Sequence, residues 1–524
     1  MKKKIVGIVI FMLVATAVVS ATNINVKKDI QVTASEDVLG ISPLGTNAVV
    51  WSKTYGGPEF DELRCVQETA DGGYIACGET EVSNNFYSWV LKVDAAGNEE
   101  WNWTQTQFYY NGTYYNIIDA YSVCIQQVND GGYVVSFQVN FMLDTEELIF
   151  GGLAKLSATG AEEWVQIYTE EFIWGFYPIS LIVEDDGYLL VGCSGAPELA
   201  ATDTAVAMLK TDTNGVEQWH QEYQYSSRFD TGYAVCRTTD NGYLITGEVS
   251  LSSTENDYWM IKTDVNGNMQ WNKTFSKNAY DASNIVNCYQ TSDGGYIMGG
   301  YTWLTGADCD LWIVKTDSSG GMDWNKTIGI NTKKDTMWSF EQTNDAGYVI
   351  CDTDNLTSGV GDKEDIFLIK IDENGNTKWT QKFGGPERQI GIYVNNTRDG
   401  GFIVSGRTGL YQNAASDGLL VKFVSEAVEL NIDIKGGLGI KVEITNNGTA
   451  NATGIPYQIH VDGGILGMIN KTVNGTIDIP AGKSVTVKTG ILLGFGAISI
   501  TAKVADEEKT ATGWQIIIFS MVKK

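Results

Sequence analysis

Short runs of β-branched and aromatic residues alternate with clusters of Gly, Asp and Asn along most of the chain, and helical periodicity is hard to find beyond the first twenty or so residues. Around residue 300 the pattern predicts four strands in succession, over 285–290, 297–301, 311–316 and 323–328. Similar sets of four precede and follow it. The chain reads as all-β.

The sets are copies of one unit. Asp-Gly-Gly-Tyr or a close variant places its aromatic at Tyr74, Tyr133, Tyr188, Tyr243, Tyr296, Tyr348 and Phe402, spaced by 52 to 59 residues. A second marker keeps step with it. Counting from Lys92, Lys155, Lys210, Lys262, Lys315 and Lys370, the fifth residue onward is always Gly (Gly97, Gly160, Gly215, Gly267, Gly320, Gly375) and the ninth always Trp (Trp101, Trp164, Trp219, Trp271, Trp324, Trp379). A period of this size in β-rich sequence is the signature of a β-propeller.

Glycine chemistry specifies the hairpins. In the first marker the position after Asp varies (Gly72, Asp186, Asn241, Ala346), while the next is always Gly (Gly73, Gly132, Gly187, Gly242, Gly295, Gly347, Gly401). A type I turn with a left-handed bulge residue at the constant glycine fits that pattern. In the second marker, as in Asp264-Val265-Asn266-Gly267, Asp first and Gly fourth suit a type I turn.

The ends complement each other. Lys422 begins no Trp hairpin and Trp51 has no Lys hairpin before it, so the strand 49–55 is expected to complete the last blade and remove an open edge. The count is seven blades. Within 524 residues, 58 of them Gly and only seven Pro, the predicted divisions are a signal peptide over 1–21, a linker over 22–44, a seven-bladed propeller over 45–427 and a small Ig-like β-sandwich over 428–524.

The leader has Lys2 to Lys4, an apolar run over 5–19 and a small-residue exit at Val19-Ser20-Ala21, as a cleaved signal peptide does; an uncleaved anchor is the rival reading. Ten Asn-x-Ser/Thr sequons, Asn102 and Asn325 among them, agree with export to the cell surface or beyond, with glycosylation depending on the host. The apolar run 514–522 is too short to span a membrane and reads as one strand, leaving no transmembrane span in the mature chain. The eight cysteines recur at strand-interior positions and read mostly as buried thiols, although Cys65 and Cys77 could pair across one hairpin.

In the tail, runs over 440–444, 457–461, 484–488 and 498–504 are separated by turns such as Asn446-Asn447-Gly448. With Asn446 to Ala450 and the 480–484 turn, this segment resembles the CARDB and fibronectin-like sandwich modules of prokaryotic surface proteins, a resemblance that implies a spacer or adhesive unit. The repeats resemble those of pyrroloquinoline-quinone-type propellers in the Asp-x-x-x-Gly-x-x-x-Trp stretches Asp94 to Trp101 and Asp212 to Trp219. They are also similar to secreted archaeal and bacterial propellers with Asp-Gly-Gly-Tyr repeats. Both resemblances imply a fold, and neither implies a cofactor; none is predicted.

Candidate chemistry is sparse. The two histidines, His220 and His460, have no repeating partner, so a Ser-His-Asp triad, a metal site or a haem is not predicted. The 372–376 segment begins like a calcium loop but lacks the closing Glu and recurs as a hairpin. The repeated Lys reads as a structural ion pair. A net charge of −28 is expected to repel both nucleic acid and acidic membrane surfaces, and no nucleic-acid partner is predicted.

Regularity breaks in the connections from second to third strand and from fourth strand to the next unit, which share one face. They carry Phe86, Tyr87, Phe108, Tyr109, Tyr110, Tyr114, Tyr115, Trp174, Phe176, Tyr177 and Trp303, flanked by Glu146, Glu147, Glu170 and Glu171. Aromatic faces suit sugar rings or extended peptides. The expected function is non-catalytic recognition of a glycan or peptide at the cell surface. The alternatives are a carbohydrate-active or quinone-type enzyme, two carboxylates being all that glycoside chemistry needs, and a structural surface-layer component.

Overall fold

The computed structural model describes residues 48–522 apart from 111–112, 118, 144–145, 169–174, 196–203, 253–254, 278–286, 304–308, 330–336, 355–364, 385–387, 410–415, 425–429, 447–451, 481–482 and 506. The expected signal peptide and linker lie outside the described residues, as do Trp174, Glu170 and Glu171. The chain is nearly all β. Among the described residues its one helical segment is the 3-10 turn Ile465–Gly467, and no helix is long and apolar enough to cross a membrane.

Six four-stranded antiparallel units follow in chain order: Asp61–Gln105, Asp119–Tyr168, Phe176–Tyr223, Asp230–Phe275, Asn287–Ile328 and Met337–Phe383. A further unit takes three strands from Gln389–Val424 and its fourth from Ala48–Tyr55. A single parallel pair, Phe86 with Asp119, joins the first two units into one sheet. The first strands of successive units pack side by side, and that of the last unit packs on that of the first.

Burial explains the composition of each strand. The third strand Asp365–Ile371 is buried at every position because neighbouring units cover both its faces. The fourth strand is outermost, and in Glu217–Tyr223 exposed and half-buried positions alternate as on a one-sided strand. The closing strand sits in this outer place: Trp51 opposes Lys422 just as Trp324 opposes Lys315.

The repeated Trp and Gly form the joint between units. Trp271 lies 5.8 Å from the Tyr296 ring of the following unit. A Cβ on that unit's Gly320 would come within 2.8 Å of the same indole. Gly320 also needs its left-handed backbone, with φ +78°. Trp51 repeats the contact on Tyr74 and Gly97, across the joint between the chain's two ends.

The first hairpin differs from expectation by one residue. The left-handed position is the variable one, as Gly294 (φ 82°), Asn241 (φ 65°) and Ala346 (φ 61°) show. It closes a turn in which Gly294 N–H donates to Thr291 O at 2.9 Å. The constant glycine is required for space: a Cβ on Gly295 would lie 2.1 Å from Thr316 O and 2.7 Å from Lys315 Nζ. The third unit departs further, since Glu184 pairs directly with Gly187 around a two-residue turn.

The repeated Lys is an ion pair in all seven units, each ammonium lying 2.7–3.0 Å from the Asp of its own first hairpin. All eight cysteines are free thiols, six of them buried. Cys65 opposes Cys77 in the ladder and lies 3.9 Å from Cys124 of the next unit.

The tail forms a three-stranded sheet (Leu430–Lys435, Lys441–Asn446, Ser484–Lys488) and a six-stranded sheet containing Ala452–Gly463, Ile469–Ile479, Gly494–Val504 and Glu507–Ile517. Their apolar faces share one core, with Val442, Ile459, Val461 and Ile500 almost wholly buried. The 514–522 run is two strands rather than one. The chain reverses at Ile517 (φ 56°), and Phe519–Val522 returns to pair Met521 with Trp514.

Candidate functional site

The connection between the first two units builds a small sheet of its own. Gln107–Tyr110 and Thr113–Asn116 form a hairpin whose register opposes Phe108 to Tyr115, Tyr109 to Tyr114 and Tyr110 to Thr113. Its base is fixed where Ile117 N–H donates to Thr106 O at 3.2 Å and Gln107 Nε2 to Asn116 Oδ1 at 2.7 Å. Tyr114 is 70% exposed. A two-stranded ribbon fixes the backbone that carries these aromatics without the ordering cost of a free loop.

Phe86 stands near the root of this ribbon, since it pairs with Asp119 just beyond the hairpin. It follows a two-residue turn in which Ser83 and Asn84 are both left-handed, so this second-to-third connection is tight rather than long. Its ring is half-buried and meets Phe60 edge-on at 5.7 Å. Tyr87 is half-buried against the thiol-lined core of the first two units.

The remaining aromatics sit elsewhere. Phe176 is fully buried and Tyr177 nearly so, at the start of the third unit's first strand, where they pack as core. Trp303 ends the second strand of the fifth unit, opposite Cys309. The structure thus gathers Phe86, Tyr87 and the hairpin residues on one joint and leaves Phe176, Tyr177 and Trp303 apart from them.

Two polar arrangements were not marked by the sequence. On the first strand of the first unit, a bulge between Leu63 and Cys65 turns Arg64 out of the ladder. Its guanidinium binds Glu62 at 2.9 Å and Glu79 at 3.0 Å and lies 4.5 Å from the centre of the Tyr121 ring. Arg407 of the last unit also donates to Glu62. Two arginines and two glutamates neutralise one another, and the cluster ties three units together.

Farther round the inner strands, burial pushes the Glu341 carboxyl up to about 7, against the pull of the Tyr289 hydroxyl that donates to it at 2.9 Å. A carboxyl titrating near neutrality can move protons. Tyr289 and, at 3.4 Å, Asn396 Nδ2 donate hydrogen bonds to it.

A cleft of about 920 Å³ opens on the side of the regular hairpin turns, between the second, third and fourth units. Glu184 lies at its wall and accepts from Lys210 at 3.0 Å, from Arg237 and from Tyr243 at 2.9 Å. Asp186 binds Lys210 as well, at 2.7 Å. The charges in the cleft are largely spent on one another. His220 is exposed and bonds Glu217 at 2.7 Å, while His460 bonds Thr472 at 2.9 Å. Among the described residues no group of three His, Cys, Asp or Glu is placed to hold a metal ion.

No protein-family model matches the chain, and no curated protein matches it. Among solved structures it is similar to Sqt1 from Chaetomium thermophilum bound to the N-terminus of ribosomal protein L10, at 10% identity and TM-score 0.40, over 72% of this chain and 100% of that one. It is similar also to a member of the DUF4221 family from Bacteroides vulgatus, at 10% identity and TM-score 0.33, over 61% and 92%. A third is the Bombyx mori GH32 β-fructofuranosidase BmSUC1, at 10% identity and TM-score 0.30, over 76% and 85%. Likenesses this distant carry no argument about what the chain does.

Proposed function

We propose that the chain is an exported, non-catalytic recognition protein of the cell surface, a seven-bladed propeller over 45–427 followed by an Ig-like sandwich over 428–524. It binds a glycan or an extended peptide through the aromatic ribbon between the first two blades. The observation that carries this reading is the ribbon itself, with Tyr109 opposite Tyr114 and Tyr114 largely in solvent. Stacking on sugar rings or on peptide groups uses such faces.

The other polar groups favour binding over chemistry. The Arg64 cluster and the cleft around Glu184 are internally neutralised, and the Glu341 carboxyl is engaged by hydrogen bonds from Tyr289 and Asn396. The test is a glycan and peptide array probed with the purified chain. Tyr114→Ala is expected to weaken the bound ligand about tenfold while the melting temperature stays unchanged. Unaltered binding by that variant places the site elsewhere, and turnover of a polysaccharide makes the protein an enzyme.

A further inference from the structure

The tail ends in an apolar tip. At one end of its sheets meet the turn around Ile465–Gly467, the connection entering Gly494–Val504 and the reversal at Ile517. Gly464 N–H donates to Ala497 O at 2.6 Å, and Gln515 Nε2 to Leu492 O at 2.8 Å, so the three are joined. Across neighbouring strands the register then runs from Leu438 to Phe519, to Ile516, to Phe495.

The outward side chains there are large and wet. Leu466 is 94% exposed, Met468 79%, Leu493 72% and Ile517 68%. Of the 22 large hydrophobic residues exposed among the described residues, 12 belong to this tail. A contiguous apolar surface of that kind marks an interaction site.

Charge indicates what covers it. Over residues 428–524 there are nine Lys against eight Asp and Glu, a net of +1, where the whole chain carries −28. Three lysines stand at the tip: Lys471 donates to Ile491 O at 3.5 Å, Lys441 lies beside Gly437, and Lys488 ends its strand there. The acids Asp478, Glu507 and Glu508 stand at the opposite ends of their strands, whereas Asp462 is near the tip and Asp433 and Glu443 beside it are taken up by Lys435.

We propose that this tip docks on an anionic lipid surface, its apolar side chains entering the acyl boundary while the lysines meet the headgroups. A second copy set tip to tip would instead bring lysine against lysine. The inference is independent of the ligand read from the aromatic ribbon, and it departs from the repulsion expected of the whole chain's −28 because the tail itself carries +1.

The experiment uses the full chain with Leu466→Cys carrying an environment-sensitive fluorophore, the native thiols being buried or half-buried. With vesicles of phosphatidylglycerol and phosphatidylcholine the emission is expected to shift to the blue and to be quenched by acyl-chain spin labels. Pure phosphatidylcholine should give about tenfold weaker partitioning. Adding Leu493→Asp should weaken partitioning about tenfold or more with an unchanged melt. Because the reporter is on the tip, a leader that itself enters the vesicle does not produce the shift. Emission unaltered by either vesicle overturns the proposal. A blue shift without lipid that grows with protein concentration overturns it too, and assigns the tip to a second copy.

Discussion

Lys315 Nζ lies 2.9 Å from Asp293 Oδ2 and donates to the Thr316 carbonyl at 2.9 Å, so one ammonium ties the first hairpin of its unit to the end of the third strand. The lysine is buried and the aspartate 61% exposed. An ammonium taken out of water requires such partners, whereas the carboxylate remains partly screened.

Acid should therefore weaken the protein through these turns. The Thr291 hydroxyl, and then the Lys315 ammonium, hold the Asp293 carboxyl down at about 2. A depressed folded value means that the contribution is present above the ordinary carboxylate value near 4 and is lost as pH falls towards 2. Stability measured by denaturant is expected to drop over that window. Asp293→Asn should cost about 1–2 kcal/mol at pH 7 and flatten the drop, and adding Lys315→Met should restore part of the loss. A double variant no better than the single one contradicts the pairing.

The two turn glycines should respond differently. Gly294→Ala keeps an open site but adopts a left-handed backbone, as Ala346 already does, and should cost about 1 kcal/mol. Gly295→Ala drives a methyl against Thr316 O and should cost about 2–4 kcal/mol. Equal losses in thermal or denaturant melts would contradict the assignment.

Removing residues 48–55 should leave Gly418–Val424 as an open edge and uncover Tyr74 and Gly97 where Trp51 sits. Aggregation, or a melting temperature lower by about 10 °C or more, is expected. A truncated chain that melts like the parent rules out a structural role for the strand.

The recurrent unit is legible in the sequence because each copy needs the same contacts. Trp271 covers Gly320 and Tyr296, and Lys315 binds Asp293, so neither spacing can drift without losing a partner. The closing strand is legible for the same reason. The left-handed residue is not: constancy at Gly295 invites that role, whereas what keeps it glycine is a carbonyl brought near by register. Arg64 is hidden because a bulge decides its direction, and bulges leave no fixed mark on composition.

In the candidate site, the hairpin aromatics stand out as an insertion, whereas the burial of Phe176 and Tyr177 depends on which strand they enter. In the tail, the 514–522 run inverts the usual pattern, with Gln515 and Ser520 buried and Ile516 and Phe519 exposed. Its reversal at Ile517 has no polar punctuation, and the exposed row through Ile516 and Phe519 cannot be told from core.

The pairing of Trp51 with Lys422 also orders events in time. Some 371 residues separate the two. At ordinary rates of synthesis the first strand is made roughly 20–70 s before its partner. No local neighbour substitutes for that partner, and closing so long a loop adds its own entropy cost. The first of the described strands thus waits until all seven units have been made, and throughout that interval it presents unpaired backbone to whatever machinery handles the chain.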